Sequence, residues 1–106
     1  MRAIKILQTG GSEHIEIPNT LEALQKEVGG YIETVTLCPG CVMIVDEEGR
    51  FKSKFFNRKA SDLSGVGIVG DALIVGTEGE EFTDVPEEII KILAHIFDVR
   101  GGEEND

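Results

Sequence analysis

Alternation of apolar and polar positions opens the chain. Ala3 to Leu7 places Ile4 and Ile6 on one face, and Glu13 to Ile17 places Ile15 and Ile17 inward, with His14 and Glu16 outward. A period of two marks half-buried strands. Thr9-Gly10-Gly11-Ser12 between them is a turn signal, so the two segments predict a hairpin. Pro18, which has no N–H for a ladder, ends the second strand. The period then lengthens. Leu21, Leu24 and Val28 share one helical face, with Asn19 expected as the cap and Glu22 three residues on. Gly29 and Gly30 stop this helix.

Tyr31 to Leu37 is rich in β-branched residues and predicts a strand. After the Pro39-Gly40 turn, Cys41 to Asp46 is a continuous apolar run, the mark of a central strand. Arg50 to Phe56 alternates again, with Lys52 and Lys54 on one face and Phe51 and Phe55 on the other, and is expected to be an edge strand. Asn57 to Ser64 is expected to be a loop, and Ile68 to Val75 a strand kinked near Gly70 and Asp71. A final helix follows Asp84, its expected cap, with Pro86 in the first turn and Ile89, Ile90, Ile92, Leu93, Ile96 and Phe97 on one arc. The expected fold is α+β: one small domain over residues 1–98, a mostly antiparallel sheet with two helices packed on one side. The polar, acidic segment 99–106 is expected to be a disordered tail.

Composition narrows the function. The chain has 106 residues, 20 Asp+Glu against 10 Lys+Arg, and a net charge of −10. Such a balance disfavours broad nucleic-acid binding, which needs clustered cations, and adsorption to anionic membranes. No apolar run approaches the roughly 18 residues of a membrane span. The early charges of Met1 to Leu7 do not match a secretory signal, so a cytoplasmic location is expected.

Several stretches together suggest a relationship. Thr20 to Gln25 leads into Val28-Gly29-Gly30-Tyr31-Ile32-Glu33, and the turn Asp46-Glu47-Glu48-Gly49 precedes Asn57-Arg58-Lys59-Ala60. Gly70-Asp71-Ala72-Leu73-Ile74-Val75-Gly76 is followed by Gly79-Glu80-Glu81-Phe82. Over residues 3–97 the chain resembles a family of small proteins described as a domain of unknown function, frequent in gut bacteria, their phages and mobile elements. The resemblance implies no catalytic residues. It does imply a mobile-element setting, in which small acidic proteins often interfere with host systems.

Charge is not uniform along the chain. Arg50, Lys52, Lys54, Arg58 and Lys59 are half of all the cations and fall within ten residues that contain no acid. One reading is an anion pocket for a nucleotide-like ligand, with the Arg58 fork, Lys54 and Lys59 as cations and Asn57 as donor and acceptor. The other is an edge strand guarded by lysines that pair with nearby acids. Glu78 to Asp106 is strongly acidic, which raises a cationic protein partner or mimicry of DNA against a plain solvated face. Gly30 and Tyr31 form a corner with a stacking surface as one role and core packing as the other.

Two motifs invite chemistry. Cys38-Pro39-Gly40-Cys41 has the spacing of a redox pair or half a zinc site, but it flanks a turn between strands, and His14 and His95 stand at no recognisable zinc spacing. An ordinary turn with a cysteine on each side is the simpler expectation. Gly65 to Gly70 matches GxGxxG, but a strand follows where the mechanism needs a helix N-terminus. Nothing orders a nucleophile, base and orienter, so a non-enzymatic, cofactor-free binding module is expected. It would act from the Gly29-Gly30-Tyr31 corner and the Asn57-Arg58-Lys59 loop. Its partner would be a small anionic ligand sequestered against a host defence, or a host protein held through the acidic face. A small enzyme or zinc protein using the cysteine turn is the remaining class. Exposed sheet edges make a homodimer an expectation.

Overall fold

A computed structural model of the chain describes residues 1–97. The acidic tail expected at 99–106 lies outside them. Six strands form one antiparallel sheet: β1 (Arg2–Ile6), β2 (Ser12–Glu16), β3 (Ile32–Cys38), β4 (Cys41–Asp46), β5 (Ala72–Glu78) and β6 (Glu81–Thr83). The order is β2-β1-β5-β4-β3, and the short β6 continues the β1 side by pairing with the end of β5.

Among the described residues three α-helices are present where two were expected: α1 (Leu21–Val28), α2 (Arg58–Ser64) and α3 (Glu87–Ile96). They do not share one side of the sheet. Leu24 and Val28 of α1 pack with Ala3, Ile44, Leu73 and Val75 on one face. Ala60 of α2 and Leu93 of α3 pack with Ile4, Ile6, Met43 and Ile74 on the other. Neighbouring residues in a strand point to opposite faces, so the unbroken apolar runs of β4 and β5 bury both sides at once. Leu73, Ile74 and Val75 are all fully buried in consequence.

Local capping departs from expectation in two places. The α1 cap is Thr20, whose Oγ1 accepts from the Ala23 N–H at 3.2 Å, while Asn19 reaches across to the Phe82 carbonyl. Asp84 does not cap α3; its Oδ1 accepts from the Arg2 N–H at 2.8 Å and ties β1 to the approach of the last helix. The expected strand at Arg50–Phe56 is a 3₁₀ turn (Gly49–Phe51) followed by irregular chain, with a single bridge from Phe56 to Val69. The expected loop at Asn57–Ser64 is helical. Asn57 caps it and Gly65, at φ 80°, closes it. No helix among the described residues is long and apolar enough to cross a membrane.

Candidate functional site

The basic stretch folds back on an acid. Asp46, the last residue of β4, has a fully buried side chain. Its Oδ2 accepts from Lys52 Nζ at 2.9 Å and Lys54 Nζ at 2.6 Å, and its Oδ1 accepts from the Glu48 N–H at 2.9 Å. Lys54 also donates to the Val28 carbonyl at 2.7 Å, and Lys52 to the Gly29 carbonyl at 3.1 Å. These are end carbonyls of α1, where the helix dipole favours a cation. Two ammonium groups thus clasp one carboxylate to the end of a helix. Burial opposes ionisation of Asp46, but Lys54, Lys52 and the Glu48 N–H outweigh it and hold the carboxyl below its ordinary value.

The paired glycines make this clasp possible. Gly29 has φ 86°, in the left-handed region that ends helices. A Cβ on Gly30 would stand 2.5 Å from both Asp46 Oδ1 and Lys52 Nζ. Gly30 is therefore a point of close approach under the cluster. Tyr31 does not join the core; its ring is exposed, and its backbone carbonyl accepts from the Glu47 N–H.

The remaining cations are dispersed rather than gathered. Asn57 is buried, and its amide nitrogen donates to the Ile6 carbonyl at 3.0 Å and the Gly70 carbonyl at 2.8 Å. Its Oδ1 accepts from the Ala60 N–H. Asn57 thus joins β1, the start of α2 and the Gly70 kink, and both its N–H groups are turned inward. Arg58 lies on the solvent side of α2 with Asp62 at 3.3 Å, one turn on. Lys59 Nζ sits 4.7 Å from the centre of the Phe97 ring, a cation–π contact. Lys54, Asn57, Arg58 and Lys59 therefore face different surroundings, and the structure does not bring them together as one anion pocket.

What the turn after β4 does create is a ridge between two hollows. One, of about 360 Å³, is lined by Val35, Val45, Ile68, Phe51 and Val66, with Arg50 among its charged groups. The other, wider and of about 480 Å³, is lined by Tyr31, Gly30, Lys26, Gln25, Glu48 and Lys52. Phe51 is 87% exposed, Phe55 70%, Tyr31 65% and Phe56 56%. These are four of the chain's six aromatic residues. Phe51 and Phe55 were expected on the strand face opposite Lys52 and Lys54. The strand does not form because Lys52 and Lys54 are drawn to Asp46, which leaves the aromatic rings outward. The signal that pointed this way was the acid-free run of cations beside a buried-strand aspartate.

The GxGxxG segment meets no helix N-terminus; it leads through Gly70 into β5. Cys38 and Cys41 are both free thiols facing each other across the Pro39-Gly40 turn. Among the described residues there is no group of three or more side chains of metal-ligating type.

The family model described as "Domain of unknown function (DUF3846)" matches residues 1–98. The chain belongs to this family. The match spans the whole sheet and all three helices, so the Asp46 clasp and both hollows lie inside the DUF3846 domain. No curated protein and no solved structure matches the chain. The DUF3846 description assigns no activity.

Proposed function

We propose that this DUF3846 chain is a non-enzymatic binding module that engages a protein partner through the ridge after β4 and its two flanking hollows. The observation that carries the reading is the outward placement of Phe51, Phe55, Phe56 and Tyr31 in a protein with only six aromatic residues. Exposed aromatic rings are costly to leave in water, two of them (Phe51 and Tyr31) line the hollows, and such rings anchor protein interfaces. Charge supports a partner that is itself cationic. Arg2, Lys5, Lys52, Lys54 and Arg58 are engaged with acids of the same chain, which leaves the carboxylate excess on the outside. The mobile-element setting implied by the resemblance makes a host protein the first class to try.

Sequestration of a small anionic ligand at Asn57, Arg58, Lys59 and Lys54 has less support. The Asn57 amide is turned inward, Lys54 is bound to Asp46, Arg58 pairs with Asp62, and Lys59 lies over Phe97. A non-catalytic role is in keeping with the pairing of the buried acid Asp46 with two lysines.

The test pairs the wild-type chain with a Phe51→Ala/Tyr31→Ala variant. A partner captured from host extract is identified, purified and titrated against both by calorimetry. The double variant is expected to bind at least about tenfold more weakly, with thermal stability unchanged because both rings are exposed. Equal affinities would remove the ridge from the interface. A nucleotide-induced thermal shift lost on Arg58→Ala would restore the anion-binding reading in its place.

A further inference from the structure

The tip of the β3–β4 hairpin holds two thiols that the proposed binding surface does not use. Strand alternation would place Cys38 on the face opposite Val35 and Leu37. The ladder, however, pairs Thr36 with Val42 and then Cys38 with Cys41. Leu37 is therefore the extra residue of a bulge, and the bulge turns Cys38 onto the same face as Cys41. Both side chains belong to the apolar cluster that α2 and α3 cover, Cys41 fully buried and Cys38 partly exposed. Gly40, at φ 82° after Pro39, has the backbone of a tight reversal that holds the two strands in place. The Gly40 carbonyl is in turn fixed by the Thr77 N–H of β5 at 3.0 Å.

Directly opposed residues of an antiparallel pair have Cα atoms about 4.5–5.5 Å apart, inside the range of about 4.4–6.8 Å that a disulfide spans. We propose that Cys38 and Cys41 are a redox modification site, forming a reversible disulfide across the hairpin tip when the chain meets a small-molecule disulfide such as oxidised glutathione. The partly exposed Cys38 thiolate attacks one sulfur of the reagent, joins it as a mixed disulfide and releases one thiolate. Cys41 then loses its proton and attacks the Cys38 sulfur. The Cys38–Cys41 bond forms as the bond to the reagent breaks and the second thiolate leaves. Two protein thiols are oxidised by two electrons, and one small disulfide is reduced to two thiols. Burial, with Cys38 alongside, pushes the Cys41 thiol up to about 11, which favours Cys38 as the residue attacked and attacking first.

The test uses the intact chain, oxidised glutathione and mass spectrometry under native conditions. The wild type is expected to lose the mass of two hydrogens, with no retained glutathione, and to regain them on treatment with dithiothreitol. Cys41→Ser is expected to stop at the glutathione adduct on Cys38, because its resolving thiol is gone. Cys38→Ser is expected to remain unmodified, because Cys41 is buried. A wild-type chain that keeps the adduct, forms disulfide-linked pairs of chains, or does not react at all would overturn the proposal. Circular dichroism of each variant separates loss of closure from loss of fold.

Discussion

Replacing Asp46 with Asn tests the clasp most directly. The amide would keep an oxygen for the Glu48 N–H, but its other end would present hydrogens to two ammonium groups now held at 2.9 and 2.6 Å by a carboxylate. Lys54 is mostly buried and Lys52 about a third exposed. Removing one partner of a buried pair costs about 3–5 kcal/mol, since the other charge is left uncompensated. The lower end applies here, because the Val28 and Gly29 carbonyls still receive the lysines. A loss of about 3 kcal/mol is a large part of the roughly 5–15 kcal/mol of a typical domain, and corresponds to a fall in Tm on the order of 10–20 °C. Urea unfolding at pH 7 measures it. The pH dependence gives an independent reading. Asp46 is held below its ordinary value, so its stabilisation is complete above about pH 4, the unfolded carboxyl value, and drains away as pH falls through the folded one. The gap between wild type and Asp46→Asn should therefore narrow on acidification. A gap under about 1 kcal/mol at pH 7, or one as wide at pH 2 as at pH 7, would refute the reasoning.

Asn57→Ala removes a cap and leaves the Ile6 and Gly70 carbonyls without their buried donor, so chemical denaturation should show a loss of about 2–4 kcal/mol. Arg58→Ala breaks only an exposed pair one helical turn long, and the same denaturation curves should shift by less than about 0.5 kcal/mol. Gly30→Ala forces a methyl against Asp46 and Lys52; differential scanning calorimetry should report a lower Tm, equivalent to about 1–3 kcal/mol.

Local pattern carried much of this fold. The period of two in β1 and β2, the glycine stop after α1 and the existence of α3 were all legible, because each depends on residues within one or two turns of each other. The α3 arc is narrower than expected, with Leu93 buried, Ile89, Ile90 and Phe97 half-buried, and Ile92 and Ile96 exposed. The apolar runs of β4 and β5 are unbroken. A strand apolar on both faces needs cover on both, and that condition already required helices on either side of the sheet. The short α2 was signalled only by its ends, Asn57 and Gly65; what secures it is Ala60 and the Asn57 amide set against β1, contacts between residues far apart in sequence.

The candidate site divides along the same line. Sequence alone determined that cations are concentrated between Arg50 and Lys59 in an acidic chain, and that Gly29, Gly30 and Tyr31 form a corner. Only tertiary structure decided what those cations do. Alternation placed Lys52 and Lys54 on an exposed strand face. The buried charge of Asp46 and the free carbonyls at the end of α1 draw them inward instead, because an unpaired carboxylate in a dry interior costs more than a short strand contributes. That exchange replaces the expected lysine-guarded strand and leaves Phe51 and Phe55 in solvent.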